Sequence, residues 1–319
     1  LLRAMMLGEI HELNDEQHAL FMQSGTMHLF AISGLNITVI AIAIESLLGL
    51  LRLPALARFA VGAALLWLFV DITGGSPSAV RAFVMMMFLH AARVLRRPGS
   101  ALAALVASAV AVLIVAPLQA FSASFLMSYG IVTALLVLGV PLADAWKARW
   151  ILWRDLPEPA WHRWQRRVAA AWRKIVPAVA IGIATTLVSL LTGVQYFGLL
   201  TPGALLANLA LIPTAMAATV GGFAAILCGL IGFGPGVLLC NHAAAITLLA
   251  IEALVRLSLS LPGAFVPARY AASWIGMAAF SLLMAALLAG YATDWRRFGG
   301  WWPPFAIVAI TLLLGVRYG

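Results

Sequence analysis

The chain has 319 residues, of which 64% are hydrophobic and 10% charged, with a formal net charge of +9 and a mean hydropathy of +1.03. Soluble domains carry about a quarter charged residues, so this composition excludes an ordinary soluble enzyme. A helix that crosses a bilayer needs about 20 mostly apolar residues. Charged residues are sparse enough for most of the chain to form such helices, and we therefore predict an all-α polytopic membrane protein.

Hydropathy and the positions of proline and glycine predict about ten transmembrane helices. These spans lie near residues 29–50, 56–73, 77–95, 101–116, 121–142, 175–193, 203–231, 237–256, 271–291 and 303–317. We expect the span at 203–231 to be broken, because Pro213, Gly221 and Gly222 interrupt a helix. Broken helices are tolerated at membrane depth where the backbone faces protein or a watery cavity.

Lysine and arginine set the orientation of the spans, because cytoplasmic connections carry an excess of both. They concentrate after the first, third and fifth spans, at 52–58, 93–97 and 147–174. These connections are therefore predicted to be cytoplasmic. Residues 1–28 then form an external amphipathic segment, and residues 29–319 form the transmembrane domain. The distribution of charge is compatible both with a single crossing by 203–231 and with a re-entrant hairpin.

A basic amphipathic insertion at about residues 144–174 belongs to the cytoplasmic side. Tryptophans spaced to share helix faces alternate there with basic residues. Such helices usually lie at the lipid interface, in the manner of interfacial anchors, although interleaved aromatic and arginine side chains also suit single-stranded nucleic acid. The predicted contacts with lipid or DNA are Arg163, Arg166, Arg167, Arg173 and Lys174.

An arginine inside a predicted span is the clearest candidate for a functional residue. A charged side chain near the bilayer centre costs about 2.5 to 3.5 kcal/mol on insertion scales. Arg81 lies about one turn inside the third span, and Asp71 closes the second span across a short turn. An ion pair between them would lower the cost of both charges, and a structural clamp explains these residues as well as a role in transport does.

The start of the first span combines small and polar residues. Ser33 and Asn36 are spaced i, i+3 on one helix face, and Gly34 allows another backbone to come close. Residues of this kind join helices together, and they also line transport pathways. Both interpretations remain open from these residues alone.

Four motifs in order resemble the ComEC/Rec2 competence family. They are His28-Leu-Phe-Ala-Ile-Ser33-Gly34-Leu35-Asn36 with Gly25 and Thr26 before it, Pro77-Ser-Ala-Val-Arg81-Ala82, Ala116-Pro117 with Ala123-Ser124-Phe125-Leu126-Met127-Ser128-Tyr129, and Ala207-Asn208-Leu209-Ala210-Leu211-Ile212-Pro213. The family pattern has histidine at the position of Asn36, whose amide still hydrogen-bonds a phosphate or a neighbouring helix.

The resemblance implies a multi-pass channel in the bacterial inner membrane that passes single-stranded DNA into the cytoplasm during natural transformation. It also implies an external DNA receptor and a cytoplasmic ATP-driven motor as partners. Longer members are similar in carrying an OB-like domain and a metallo-β-lactamase-like nuclease domain. We expect this chain to be the permease portion of such a protein, with no enzymatic activity, cofactor or metal of its own.

A DNA path needs hydrogen-bond donors without a deep basic well that would hold the polyanion. The predicted lining is accordingly sparse and comprises His28, Ser33, Gly34, Asn36, Asp71, Arg81, Ser124, Ser128, Asn208 and Pro213. A small-solute permease that uses the broken helix and a polar stripe formed by Asn241 and Glu252 in the eighth span is an alternative function. A third hypothesis is an intramembrane hydrolase with Ser33 as nucleophile and His90 or His242 as base.

Overall fold

The computed structural model describes residues 20–21, 34–153, 156, 158–261 and 263–318. Helices occupy most of this part of the chain. Six of the described helices are long and apolar enough to cross a membrane by length and composition. The protein is therefore a multi-pass helical membrane protein.

The described helices follow the predicted spans in chain order. They are α1 (Gly34–Leu50), α2 (Ala55–Ile72), α3 (Pro77–Val94), α4 (Ala101–Val115), α5 (Ala123–Ala134), α6 (Val140–Arg149), α7 (Arg163–Phe197), α8 (Ala204–Leu230), α9 (Gly234–Leu259), α10 (Ser273–Ala292) and α11 (Trp302–Leu314). A π-helical turn, Leu135–Gly139, joins α5 and α6 into one 27-residue helix. The six long apolar helices are α2, the joined α5 and α6, α7, α8, α9 and α10.

The chain divides into two compact units. The first unit comprises the described residues of Leu1–Ser128 and Leu206–Phe265, and the second comprises those of Tyr129–Leu205 and Val266–Gly319. In the first unit, α1, α2 and α3 pack around a core that includes Ile37 and Leu66. Burial of such side chains contributes about 1.5–3 kcal/mol each in water, whereas between helices in lipid close packing supplies the attraction.

Local sequence explains the sharp turn between α2 and α3. Gly74 and Gly75 both have positive φ, at 81° and 59°, which glycine adopts without a steric penalty. Ser76 then caps α3 by accepting a hydrogen bond from the Ala79 amide at 3.3 Å, with Pro77 in the first helical turn. The turn therefore begins α3 four residues before Arg81.

In the second unit, Pro141 and the π-helical turn alter the hydrogen bonding of the joined helix. Proline has no amide hydrogen, so Pro141 cannot donate to the carbonyl of Val137 one turn earlier. The buried indole Nε1 of Trp295 donates to that carbonyl oxygen instead, at 3.0 Å. Trp295 also stacks on Trp301, with ring centroids 5.0 Å apart. This contact connects α5 and α6 to the segment after α10.

The second unit also contains a small antiparallel sheet that hydropathy does not predict. Its order is β1 (Leu199–Leu200), β2 (Val266–Tyr270) and β3 (Val316–Tyr318). Gly198 ends α7 with φ +63° and turns the chain into β1. The Tyr270 hydroxyl donates to the carbonyl oxygen of Leu191 at 3.1 Å, and burial raises the pKa of Tyr270 to about 12, so this donor stays protonated.

The span predicted to be broken is one continuous helix, so that expectation is wrong. Helix α8 runs for 27 residues through Pro213, which at 1.5 Å per residue is about 40 Å and enough for one crossing. Proline has no amide hydrogen, so Pro213 cannot donate to the carbonyl oxygen of Leu209 one turn earlier, yet the helix continues on both sides of it.

The strand pairing is compatible with a single crossing by α8. Strands β1 and β2 are hydrogen-bonded, with Leu200 opposite Val266. If α8 and α9, the two helices between these strands, each cross once, the chain returns to the side from which it left. The single crossing and the re-entrant hairpin both stay predictions.

The structure adds detail to two predicted segments, whose positions relative to the membrane stay predictions. The basic stretch 163–174 is not a separate amphipathic helix, because it forms the first turns of the 35-residue helix α7. In the segment predicted to be external and amphipathic, Phe21 is fully buried and packs with Leu211 of α8 and Ile251 of α9. The rest of residues 1–28, apart from Leu20, lies outside the described residues.

Candidate functional site

Arg81 lies in the first unit on α3, and its side chain is buried, with 3% of the residue exposed. Its Nη2 donates to the carbonyl oxygen of Ser124 at 2.9 Å and to the hydroxyl Oγ of the same residue at 2.7 Å. Ser124 lies in the first turn of α5. Hydrogen bonds to a charged donor are stronger than neutral ones, so these two bonds hold the guanidinium against α5.

Asp71 does not partner Arg81. Both residues are described, and no ion pair within 4.0 Å joins them; Asp71 is exposed in the last turn of α2. The pairing hypothesis is therefore wrong. An exposed carboxylate keeps its water, and the oxygen atoms of α5 bind the arginine at a smaller desolvation cost than a buried carboxylate would incur.

The small and polar residues of α1 make helix contacts. A Cβ built on Gly34 would lie 3.5 Å from the Ala82 Cβ, an ordinary van der Waals contact, so α1 packs on α3 beside Arg81 at a distance that does not require glycine. Asn36 is buried, and its Oδ1 accepts a hydrogen bond from the hydroxyl of buried Thr219 on α8 at 3.3 Å. Packing therefore accounts for the visible contacts of Asn36, and the sequence carried no signal for Thr219.

The remaining residues of the predicted path are more dispersed. Ser128 follows Ser124 by one helical turn, on the same face of α5, and is half-buried. Asn208 is half-buried on α8, where its Oδ1 has no hydrogen-bond partner among the described residues. Pro213 is exposed. No hydrogen bond in the described residues joins these three to Arg81, and His28 and Ser33 lie outside the described residues.

A second ionisable cluster lies toward the other ends of α1 and α3. Arg93 Nη1 lies 3.0 Å from Glu45 Oε2, and His90 Nε2 lies 3.4 Å from the same oxygen. With Arg58 they line a cavity of about 80 Å³. Sequence analysis did not connect these residues, although Glu45 and Arg93 each lie within about a turn and a half of a predicted cytoplasmic helix end.

The five basic residues predicted to contact lipid or DNA are exposed at the start of α7. They are Arg163, Arg166, Arg167, Arg173 and Lys174. Two of them have visible neighbours: the Arg166 guanidinium donates to the carbonyl oxygen of Pro159 at 3.2 Å, and Arg173 lies 5.8 Å from the centroid of the Trp161 ring. The five side chains form an exposed cationic surface, and their contact with lipid or DNA stays a prediction.

These features define a multi-pass helical membrane protein with a buried, oxygen-coordinated arginine in its first unit. A family model described as "Competence protein" matches residues 5–292. Since this is most of the chain, the protein belongs to that family, as a ComEC/Rec2-type competence domain, and it has a role in competence and DNA uptake. No curated protein and no solved structure matches the chain.

Proposed function

We propose that this chain forms a path for single-stranded DNA across the bacterial inner membrane, and that it is a channel and not an enzyme. The observation that carries the proposal is Arg81, a buried cation that Ser124 holds in place on α5. Buried charges among membrane helices are costly and mark ion or substrate pathways. In a family that functions in DNA uptake, the anion that a buried arginine would bind is the phosphodiester backbone.

Arg81 is the one buried cation among the residues that the structure describes, and this scarcity suits a polyanion that must keep moving. Many arginines in a row would bind the strand too tightly to release it, whereas one arginine with hydroxyl groups nearby offers a weak contact to each phosphate in turn. Ser124 and Ser128 lie on the same face of α5 and supply such hydroxyl groups.

Transport inward needs an energy source. The cytoplasm is electrically negative, so each phosphate that moves inward works against about 2.3 kcal/mol per 100 mV. We propose that a cytoplasmic ATP-driven motor supplies this work and that an external receptor delivers the DNA. The exposed basic residues at the start of α7 would receive the strand, or hold lipid headgroups, on the cytoplasmic side.

The test is internalisation of labelled DNA by transformable cells that carry Arg81→Leu. Arg97→Leu is the matched control, because Arg97 is an exposed arginine just after the same helix. We expect Arg81→Leu to abolish internalisation at a normal membrane level of protein, with surface binding of DNA retained, and Arg97→Leu to behave as wild type. Normal internalisation by Arg81→Leu would contradict the proposal.

A small-solute permease is the alternative that this experiment also addresses. That hypothesis depended on a broken helix at 203–231, and α8 is continuous. Its other support was a polar stripe on α9, where Glu252 forms an ion pair with Arg256 at 2.9 Å. An i, i+4 pair of this kind stabilises a helix without any substrate, so no specific observation now favours the permease.

A further inference from the structure

Two arginines lie directly opposite each other on the small sheet of the second unit. The register of β2 and β3 pairs Arg269 with Arg317, and both residues are exposed. Directly opposed residues in an antiparallel pair have Cβ atoms about 4.5–5.5 Å apart and project from the same face. Like charges at this separation repel, so the pair lowers the stability of the sheet unless an anion lies between the two side chains.

The protein itself does not supply that anion among the described residues. No carboxylate of the described chain lies within 4.0 Å of Arg269 or Arg317. Their neighbours along the strands, Ala268 and Val316, are buried and pack with Val194 of α7. The sheet therefore has one apolar face against the helices and one cationic face that is open to a ligand.

The cationic face borders an open cavity of about 460 Å³. Its lining includes Gln195, Arg269, Tyr270 and Ser273. The Gln195 Nε2 donates to the carbonyl oxygen of Ser273 at 3.3 Å. The same lining includes Tyr196 and Phe197, and Phe197 is 63% exposed and offers a flat aromatic surface. A groove with cationic and aromatic side chains is the arrangement by which proteins bind single strands without sequence preference.

The charge rule predicts that the sheet lies on the outer side of the membrane. Helix α7 begins in the basic stretch at 163–174, which the charge rule places in the cytoplasm, and it ends at Phe197 just before β1. Strands β2 and β3 are hydrogen-bonded in the same sheet as β1, so Arg269 and Arg317 are external. They are therefore exceptions to the cytoplasmic bias of basic residues in this chain.

We propose that Arg269 and Arg317 form an outer binding site for the phosphodiester backbone of the incoming single strand. This inference rests on the proposed function and gives it an external contact. The planar guanidinium matches two oxygens of a phosphate in a bidentate contact, and two arginines about 5 Å apart at Cβ can hold one phosphate between them or two in succession.

The experiment measures binding of a labelled single-stranded oligonucleotide to the full chain in nanodiscs of neutral phosphatidylcholine, over a range of salt concentrations. The variant is Arg269→Gln with Arg317→Gln. The matched control is Arg296→Gln with Arg297→Gln, which removes the same charge from the connection on the cytoplasmic side. A third variant, Arg269→Lys with Arg317→Lys, keeps the charge and removes the planar guanidinium that binds two phosphate oxygens at once.

Each phosphate neutralised on a single strand contributes about 0.7 to the slope of log K against log salt. Loss of two contacts should flatten the slope by about 1.4 and weaken binding about 25-fold at 0.1 M salt. The lysine variant should keep the slope while it binds more weakly, and the control should match wild type. Wild-type binding by the glutamine variant, or an equal loss in the control, would overturn the inference.

Two other outcomes separate this site from its alternatives. If the arginines hold lipid headgroups, wild type and the glutamine variant bind the oligonucleotide equally in neutral nanodiscs, while wild type alone retains phosphatidylglycerol through purification; that result overturns the inference. If binding is unchanged in the glutamine variant but internalisation still depends on Arg81, the inference fails and the proposed function stands.

Discussion

The contact between Arg81 and Ser124 can be tested by removing its hydrogen bonds one at a time. Ser124→Ala removes the hydroxyl oxygen 2.7 Å from Nη2 and leaves the carbonyl oxygen at 2.9 Å. A hydrogen bond to a charged group contributes about 1.5–3 kcal/mol, so we expect this variant to lose about 2 kcal/mol of unfolding free energy. Uptake should fall without being abolished, because the guanidinium keeps its backbone contact.

Arg81→Leu should separate stability from function. It loses both bonds, at a cost of about 3–6 kcal/mol. It also removes a charge whose insertion costs at most about 3.5 kcal/mol, with Arg81 only one turn from the helix end. The second effect offsets only part of the first, so we expect a net loss of a few kcal/mol, and the membrane level of the protein shows whether it still inserts and accumulates. Uptake should nevertheless disappear.

The assay pairs thermal unfolding in detergent with internalisation of labelled DNA, each normalised to the amount of protein in the membrane. Arg81→Lys completes the series, because it keeps the charge without the planar fork. Partial uptake with lysine and none with leucine is the expected order. Wild-type uptake with leucine, or an undiminished unfolding temperature in Ser124→Ala, would refute the reasoning.

Four further outcomes follow from named contacts. In a double-mutant cycle of thermal unfolding, Asn36→Leu and Thr219→Val should show a coupling energy of about 1 kcal/mol. If the losses of unfolding free energy in the two single variants simply add up in the double variant, the two side chains do not share a hydrogen bond. Trp295→Phe leaves a buried carbonyl oxygen without its donor and should lower the unfolding free energy by about 1–3 kcal/mol in the same assay. In a background without native cysteines, Arg317→Cys should react with an impermeant maleimide from outside and Arg297→Cys only after permeabilisation. The reverse pattern would disprove the external position of the sheet. Arg317→Gln should raise the unfolding temperature, because it relieves a like-charge pair, and a lower temperature would contradict that account.

The positions of the helices were predictable because hydropathy is a local property. A stretch of about 20 apolar residues is stable in lipid whatever its neighbours are, and each predicted span contains a described helix. Turn chemistry was predictable for the same reason, as Gly74, Gly75 and Pro77 show. Arg81 could be identified as a functional candidate because an arginine in an apolar span needs a specific reason.

Predictions from the sequence were wrong where a tertiary contact outweighed a local sequence rule. Pro213 predicts an interrupted helix, yet α8 continues through it, because one missing hydrogen bond costs less than exposing the other backbone groups of the helix to lipid. Asp71 is close to Arg81 in sequence, but Ser124, which is 43 residues from Arg81, supplies the oxygens. Proximity along the chain did not identify the partner.

Composition and patterning alone determined that this protein is a helical membrane protein, where its helices lie and which buried cation to test. Only the tertiary structure decided which residues meet: Arg81 with Ser124, Trp295 with the carbonyl oxygen of Val137, and Arg269 with Arg317. The physical reason is that transfer into lipid depends on each segment's own side chains, whereas a hydrogen bond or a strand register depends on groups that the chain brings together from distant positions.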